Sequence, residues 1–350
     1  MEYILKHSDT NPRNSEGSFV KLADGTLYFA YSRFCGEDGK DHAAADIAAI
    51  TSQDNGETWS TPFIIRKNRQ MNLMSVSLLR LQNGRIGMIF GEKTAVPGWK
   101  NCVDSRPWFC FSDDEAKNWS EPVRVADVPP AAYFVTNNDR LVQLKDGRLI
   151  LPVSHHSFGS ARLGAGVIRF FISDDSGETW RSNENFIYPD PNLTKTFMEP
   201  GVIELANGTL MCFIRTIVGH HYQSFSTDRG ESWTPAQPYR DFYAPESPMS
   251  MKRDPRTGKI YAIWNDYHPL RRNPTFIPKW ARTPLVMAES SDEGVTWENH
   301  RILENAPDHG YCYTAMHFDG DLLYLAYCCG GEPECSGPLQ DTKLSAIKLD

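Results

Sequence analysis

Short apolar runs, each preceded by a polar turn, recur along the whole chain. Six of these runs follow a turn whose second residue is glycine. A pair of Asn or Asp with Gly between apolar runs is the strongest short-range signal of a β-hairpin, because glycine adopts the positive φ that the turn requires. We therefore predict six hairpins, with turns at Asp24-Gly25, Asn83-Gly84, Asp146-Gly147, Asn207-Gly208, Thr257-Gly258 and Asp319-Gly320.

A second pattern, S-x-D-x-G-x-T-W, alternates with the hairpin turns. Its aspartate can accept hydrogen bonds from nearby backbone N–H groups, and its tryptophan can pack the turn against a neighbouring unit. The five copies start 60, 61, 53 and 64 residues apart, at Ser52, Ser112, Ser173, Ser226 and Ser290. The copy at Ser112 is degenerate, since Ala116 and Asn118 replace Gly and Thr. A repeat of this length is typical of a propeller or a solenoid.

Together the two patterns define a unit of four antiparallel strands: a hairpin, a loop, a third strand, the aspartate turn and a fourth strand. The sixth unit ends in KLSAIKLD and lacks its own aspartate turn. We expect the N-terminal segment EYILK to supply its missing strand and close the ring. The sequence therefore predicts an all-β fold, a single six-bladed β-propeller spanning residues 1–350.

Composition excludes several classes of function. The net charge is −8 and no basic run occurs, which argues against nucleic-acid binding. No stretch of 18 apolar residues suggests a membrane span, and the N-terminus lacks the apolar core of a signal peptide, so we expect a cytoplasmic protein. The eight cysteines show no paired C-x-x-C spacing, so we expect reduced thiols, no metal site and no cofactor.

The connectivity of the unit predicts which face carries the chemistry. In a four-stranded meander, the start of the first strand and the end of the second lie on one face, and the aspartate turns lie on the opposite face. Polar residues crowd the first face, as in a pocket on a rigid scaffold. The candidates are Arg13, Ser15, Glu16, Arg33, Asp41, His42, Asp46, Asn72, Ser75, Lys93, Asn138, Asp139, Arg140, His155, His156, Glu199, Arg215, Glu246, Ser247, Asp266, Arg282, Tyr311 and Tyr313.

The repeated S-x-D-x-G-x-T-W motif is known as an aspartate box. With these boxes and this arrangement of units, the whole chain resembles the sialidase (neuraminidase) superfamily, whose six-bladed propellers carry the same aspartate boxes. The resemblance implies that three arginines hold the carboxylate of the substrate. Arg215, sixteen residues beyond Glu199, and Arg282 match two of them. The third belongs to an R-I-P motif on the first strand, where this chain has Ser15, and Arg13 is the candidate substitute.

The same resemblance implies the catalytic residues. Tyr313 matches the nucleophile, Glu199 its assisting carboxylate, and Asp41 the general acid, with Asp46 as competitor. Arg33 matches an arginine that is common at the start of the loop containing Asp41. Four further polar residues of this face are candidate substrate contacts without a sialidase counterpart: His42, Asn138, Asp139 and Arg140.

The implied chemistry is physically consistent. Planar guanidinium groups suit a sugar carboxylate, and a neutral tyrosine avoids repelling an anionic substrate while a carboxylate takes its proton. An aspartate held protonated by its surroundings would donate to the leaving oxygen. We expect a glycoside hydrolase that acts on a terminal acidic sugar, either a 2-keto sugar acid or a uronate.

Two other functions are compatible with the sequence. The first is a uronate-directed lyase or atypical glycosidase in which His42, His155 or His156 acts together with a tyrosine. Its elimination product would absorb ultraviolet light, whereas a hydrolysis product would not. The second is a non-catalytic carbohydrate- or protein-binding propeller, for which Tyr313 and Glu199 are expected to lie out of contact.

Overall fold

The computed structural model describes residues 2–36, 38–98, 102–128, 132–156, 166–190, 192, 197–271, 282–331 and 337–349. These residues form strands and turns, and none of them belongs to a helix able to cross a membrane. The strands are β1 Glu2–Leu5, β2 Asn14–Lys21, β3 Leu27–Phe34, β4 Ala45–Ser52, β5 Phe63–Arg66, β6 Asn72–Arg80, β7 Ile86–Ala95, β8 Val103–Ser112, β9 Val123–Arg124, β10 Tyr133–Val135, β11 Val142–Gln143, β12 Leu149–His156, β13 Val167–Ser173, β14 Arg181–Ser182, β15 Met198–Glu204, β16 Leu210–Arg215, β17 His220–Ser226, β18 Gln237–Tyr243, β19 Ser250–Arg253, β20 Ile260–Asn265, β21 Leu285–Ser290, β22 Glu298–Glu304, β23 His309–Asp319, β24 Leu322–Gly331 and β25 Asp341–Lys348.

These strands pair mainly as antiparallel meanders. β15 to β18 form one four-stranded sheet and β19 to β22 form another, both in chain order. A thirteen-stranded assembly contains the three antiparallel groups β2–β5, β6–β9 and β10–β14. Two short parallel pairings connect these groups, one between Ala45 and Asn72 and one between Tyr133 and Ser105. The predicted all-β class of four-stranded antiparallel units is thus confirmed.

The last sheet contains both ends of the described chain. β1 pairs antiparallel with β25, and the sheet order is β1, β25, β24, β23. The backbone N–H of Asn14 also donates to the carbonyl of Gln340 at 2.8 Å. The prediction that the N-terminal strand completes the last unit is therefore confirmed.

The apolar core lies between successive antiparallel groups. One cluster joins β15–β18 to β19–β21, another joins β20 and β21 to β23–β25, and a third joins β23–β25 to β2–β4. Trp264, Tyr31 and Phe29 are among the largest fully buried side chains. Packing of flat apolar faces against each other, rather than one central core, holds the strands in place.

The aspartate boxes form the local turns that their sequence predicts. In the first box, Ser52 Oγ donates to Asp54 Oδ1 at 2.7 Å and accepts from Gly56 N at 2.7 Å. Thr58 N donates to Asp54 Oδ1 at 2.9 Å, and Trp59 Nε1 donates to the Gly56 carbonyl at 3.1 Å. The turn is therefore held by bonds that span only two to four residues.

The boxes share a face with the hairpin turns, as predicted. Glu115 of the second box accepts from Ala23 N, beside the first hairpin turn, at 2.7 Å. Glu293 of the last box accepts from Ala206 N at 2.7 Å in the same way. The opposite ends of the strands are left to carry the polar residues of the candidate site.

Candidate active site

Five residues at or near the first strands of the antiparallel groups have positive backbone φ angles. Glu16, Ser75, Asp139, Glu199 and Tyr313 have φ values of 56°, 62°, 59°, 42° and 58°. All except Asp139 lie in register shifts of β2, β6, β15 and β23. A bulge re-aims a side chain, and a non-glycine residue at positive φ persists at functional sites despite a cost of about 1–3 kcal/mol.

Glycines beside two of these bulges allow close packing of the strands. A Cβ added at Gly17 would lie 2.2 Å from Phe29 Cζ, and one added at Gly201 would lie 2.1 Å from Phe213 Cζ. Neither position has space for a larger residue. The glycines therefore keep the bulges of β2 and β15 seated on their aromatic neighbours.

Tyr313 and Glu199 are in direct contact across the site. Tyr313 Oη donates to Glu199 Oε1 at 3.0 Å, although 114 residues separate them in the chain. Burial and the Glu199 carboxylate raise the pKa of Tyr313, against the lowering effect of Arg282 and Arg215, so the phenol is neutral in the free protein. The predicted contact is present, and a non-catalytic propeller was expected to lack it.

Arg215 holds the second oxygen of the same carboxylate. Its Nη1 donates to Glu199 Oε2 at 2.5 Å, and both side chains are about 95% buried, with 5% and 6% exposed. Its Nη2 reaches Glu246 Oε1 at 3.2 Å, on a side chain that is largely exposed. Glu199 is thereby oriented with one oxygen towards Tyr313.

Arg282 lies on the other side of the tyrosine ring. Its Cζ is 5.3 Å from the centroid of the Tyr313 ring, and its Nη1 donates to Cys312 Sγ at 2.9 Å. Within the described ranges it makes no ion pair with a carboxylate. Arg282 is therefore the guanidinium of this site that a bound anion can neutralise.

Arg13 occupies the region of the missing R-I-P arginine, but its donors are already engaged. Nε donates to Ser15 Oγ at 3.0 Å, Nη2 to Glu16 Oε1 at 2.9 Å, and Nη1 to Asp41 Oδ1 at 2.6 Å and to the Gly39 carbonyl at 3.3 Å. Two carboxylates thus neutralise this guanidinium. The arginine is present beside Ser15, but the neighbouring acids already use its charge.

Glu16 is a buried carboxylate of the same cluster. Its side chain is 7% exposed, and its second oxygen accepts a hydrogen bond from Ser75 Oγ. Burial raises the pKa of Glu16, against the lowering effect of Arg13 and Ser75. The sequence marked this residue as a position on the functional face, but nothing in the pattern indicated its pairing with Arg13.

Asp41 lies at the entrance of the cluster, with 66% of its side chain exposed. Burial favours its neutral form, but the charges of Arg13 and Lys93 outweigh that effect and lower the pKa of Asp41 to about 2. Lys93 Nζ also donates to the Asp41 backbone carbonyl at 2.6 Å. The expectation that the surroundings hold this aspartate protonated is therefore wrong for the free protein, because two cations face it.

Asp46 and Arg33 lie opposite each other on neighbouring strands. They are partners in the register of β3 and β4. Asp46 Oδ1 accepts from the backbone N of Asn68 at 2.8 Å and from its Nδ2 at 2.7 Å. No described hydrogen bond joins Arg33 to Arg13, Glu199 or Tyr313. Of the two candidate acids, only Asp41 contacts the cluster.

The segment Asn138–Arg140 connects several strands from inside the molecule. Asn138 Nδ2 donates to the carbonyls of Gly17 at 2.8 Å and Tyr313 at 3.1 Å. Asp139 accepts from Lys252 Nζ at 2.7 Å and from Met316 N at 2.9 Å. Asn138 Nδ2 and both Asp139 oxygens are thus used within the protein, whereas Asn138 Oδ1 has no hydrogen-bond partner among the described residues, so contact of these two residues with substrate stays a prediction.

Arg140 is a second internal connector. Its Nη2 donates to the Met249 carbonyl at 2.6 Å, and its backbone N donates to Ser77 Oγ at 2.7 Å. Its side chain is buried and lies with Cζ 5.3 Å from the centre of the Phe213 ring. Arg140 thus joins distant strands inside the protein, and its contact with a substrate stays a prediction.

The three candidate histidines differ in their surroundings. His42 is exposed beside Asp41, its ring centre lies 6.3 Å from that of Tyr133, and burial and Lys93 lower its pKa. His155 stacks on Phe134 at 4.6 Å, and burial lowers its pKa to about 4. His156 is buried, with Nε2 2.7 Å from Ser154 Oγ. Only His42 combines exposure with a place next to the cluster.

Comparisons with known proteins agree with this architecture. The profile of the BNR repeat-like domain family matches residues 25–325. A sialidase of Paraclostridium sordellii is 26% identical over 235 residues, which are 62% of this chain and 56% of that protein. The alignment thus spans little more than half of the relative's length.

Solved structures share the fold at lower identity. A protein of unknown function from Dyadobacter fermentans superposes with a TM-score of 0.78 and 18% identity, covering 100% of this chain and 98% of that one. A Hadza microbial sialidase superposes with a TM-score of 0.77 and 19% identity, covering 100% and 68%. Because the family profile matches most of its length, this chain belongs to the BNR repeat-like domain family, within the sialidase superfamily.

Proposed function

We propose that this protein is a glycoside hydrolase of the sialidase type, which releases a terminal acidic sugar from a glycoconjugate. The observation that carries the proposal is the contact of 3.0 Å between Tyr313 Oη and Glu199 Oε1. A nucleophile and its base within hydrogen-bond distance, with the base oriented by a third group, is the usual arrangement for covalent catalysis. Arg215 is that third group here.

In the first step, Tyr313 Oη attacks the anomeric carbon and the bond to the leaving oxygen breaks. The phenolic proton moves to Glu199, and Asp41 gives a proton to the leaving oxygen. Because burial and Glu199 raise the pKa of Tyr313, the attacking group is neutral until its proton leaves. A neutral phenol does not repel the anionic sugar as it approaches.

In the second step, water cleaves the bond between the sugar and Tyr313. The Asp41 carboxylate takes a proton from water, whose oxygen attacks the anomeric carbon. Tyr313 leaves and recovers its proton from Glu199. The carboxyls and the phenol thus return to their starting states, and the products are a free sugar acid and an alcohol.

In this proposal Asp41 takes up its proton from solvent when the substrate binds. Its carboxylate is ionised in the free protein, with a pKa of about 2. An anionic sugar bound to Arg282 would add a negative charge to the site, which would disfavour the ionised form of Asp41 and raise its pKa. We therefore expect turnover to increase as the pH falls. Asp41→Asn should lower the turnover of substrates with a sugar leaving group more than that of substrates with an activated aryl leaving group.

The arginines support an acidic substrate without identifying it. Arg282 can pair with a carboxylate, whereas Arg13 is neutralised by Glu16 and Asp41. Guanidinium groups bind carboxylates in planar, bidentate geometry. The relative with the curated name "Sialidase" favours a sialic acid, and a uronate or another 2-keto acid fits the same charge.

We also infer that the antiparallel groups close into a ring of six blades. Each group packs on the next through an apolar cluster, and β23–β25 pack on β2–β4. The interface between the last and first groups supports closure. Counting blades in an experimental density map would test this inference.

The function is tested by incubating the protein with glycosides of N-acetylneuraminate, of other 2-keto sugar acids and of uronates. We expect a free sugar acid from at least one of them, and no release by Tyr313→Phe. An unsaturated, ultraviolet-absorbing uronate would instead support elimination, for which His42 is the candidate base. Binding of a sugar acid without release from any glycoside would contradict the proposal and favour a binding protein.

A further inference from the structure

The guanidinium of Arg282 has an unusual partner in the folded protein. Its Nη1 donates to the sulfur of Cys312 at 2.9 Å, and the thiol is only 1% exposed. Cys312 immediately precedes Tyr313, whose ring lies against the same guanidinium. Arg215 and Arg13, in contrast, both pair with carboxylates. Arg282 is partly buried and makes no ion pair with a carboxylate of the described residues, so the Cys312 sulfur is the described group at hydrogen-bond distance that can balance its charge.

The surroundings of Cys312 favour its ionised form. Burial raises the pKa of the thiol, but a hydrogen bond from Cys328 and the charge of Arg282 outweigh burial and lower it to about 7. Cys328 stands directly opposite Cys312 in the register of β23 and β24. Among the described residues, the titratable and charged groups that act on this sulfur are Arg282, Cys328 and Glu199, and its neighbours Tyr313 and Cys328 are in turn affected by Arg215, Arg13 and Glu16.

We propose that Cys312 is a positioning residue, whose ionised sulfur holds the Arg282 guanidinium beside Tyr313 and competes with an acidic sugar for that guanidinium. The second half of the inference rests on the proposed function. When the carboxylate of a sugar binds Arg282, the sulfur loses its counter-ion and takes up a proton. The anion therefore binds with uptake of one proton wherever the free site carries a thiolate.

This linkage has a definite sign. Below a pH of about 7 the sulfur is neutral and Arg282 is free for the sugar, so affinity does not change with pH. Above it, affinity for the acidic sugar should fall by as much as about tenfold for each pH unit. Cys312→Ser replaces the thiol with a hydroxyl that does not ionise in this range. The variant should lose this component of the pH dependence and keep its affinity at low pH.

Two measurements test the proposal from about pH 6 to about pH 8.5, one on the sulfur and one on the sugar. The ultraviolet absorbance of the thiolate should rise near pH 7 in the unaltered protein, not in Cys312→Ser, and only at higher pH in Arg282→Ala. The matched control is Cys110→Ser, because burial raises the pKa of Cys110 to about 12. Absence of a step specific to Cys312 would overturn the proposal.

The second measurement is the pH dependence of the dissociation constant of N-acetylneuraminate and glucuronate, by calorimetry. Equal pH dependence in the unaltered protein and in Cys312→Ser would overturn competition between sulfur and sugar. Failure to bind or cleave any acidic sugar would overturn the proposed function. The absorbance step would then decide alone whether the thiolate is paired with Arg282, so the two failures are distinguishable.

Discussion

The two ends of the strands are built on opposite principles. On the face with the aspartate boxes, hydrogen bonds join residues two to four positions apart, such as Ser52 with Asp54. On the face with the candidate site, Tyr313 bonds to Glu199 over 114 residues, and Asn138 bonds to the Tyr313 carbonyl over 175. The first face is repeated from unit to unit, whereas each strand contributes a different side chain to the second.

Ion pairs differ between the faces in the same way. On the box face, Arg80 pairs with Glu115 with about a third of each side chain exposed, so the pair is worth little. On the site face, Arg215 and Glu199 are 5% and 6% exposed. Loss of one partner from such a buried pair leaves an uncompensated charge, which is strongly destabilising. Loss of one ion-pair partner should therefore destabilise the protein more on the site face than on the box face.

The largest expected effect separates the faces most clearly. Tyr313→Phe removes the phenolic oxygen that contacts Glu199 and should lower turnover by at least about 10³-fold, with little change in the melting temperature. The matched control is Tyr311→Phe on the same strand, whose ring packs 6.2 Å from Tyr327 in the core. Equal turnover by both variants would show that Tyr313 is not the nucleophile.

Trp233→Ala tests the box face. Trp233 is 7% exposed, stacks on Phe170 at 4.1 Å, and its removal should lower the free energy of unfolding by about 3–5 kcal/mol. Turnover per folded molecule should stay unchanged. Trp180→Ala, at a half-buried box position, should have a smaller effect. Denaturant titration measures both, and a loss of activity in fully folded Trp233→Ala would show that the faces are coupled.

Arg282→Ala should weaken binding of the acidic substrate by about 2–5 kcal/mol, because the carboxylate loses its available guanidinium. The expected result is a raised KM. Arg33→Ala is the control, since Arg33 has no described hydrogen bond to the residues of the cluster and should leave KM unchanged. Similar values of KM for the two variants would show that Arg282 does not bind the carboxylate of the substrate.

Ala116→Gly should have the smallest effect. Ala116 has a φ of 61° where the other boxes have glycine, and relief of this strain should stabilise the protein by about 0.5–1 kcal/mol. The opposite change, Gly177→Ala, should destabilise it, because the added Cβ would lie 2.2 Å from Phe109 Cε1. Denaturation midpoints measure both. A destabilised Ala116→Gly would mean that the degenerate box has adapted to alanine.

Local patterns predicted much of the architecture. The glycine turns, the aspartate boxes and the strand from Glu2 to Leu5 that pairs with β25 all follow from signals within a few residues. The contact of Tyr313 with Glu199 was also predictable, because counting from the turns places both at the same end of their strands. Even the degenerate box keeps its turn, with Asn118 Nδ2 donating to Asp114 Oδ2 at 2.6 Å in place of threonine.

Partners between distant side chains were not predictable in this way. Arg13 could be expected to replace the arginine missing at Ser15, but in the folded chain Glu16 and Asp41 neutralise it. Asp41 was expected to be protonated, and it is ionised because the charges of Arg13 and Lys93, which come from other segments of the chain, lower its pKa to about 2. Asn138 was predicted as a substrate contact, and nothing in the sequence indicated that its Nδ2 donates to two backbone carbonyls of distant strands.

The sequence by itself determined the repeated unit, because turn geometry and strand pairing depend on residues close together in the chain. It also placed the polar residues on one face. Only the tertiary structure decided which of those charges are free, since the electrostatic state of a buried group depends on neighbours from other units. Arg282 and Arg13 have the same side chain but different partners. Arg282 lies beside Cys312, and two carboxylates already neutralise Arg13.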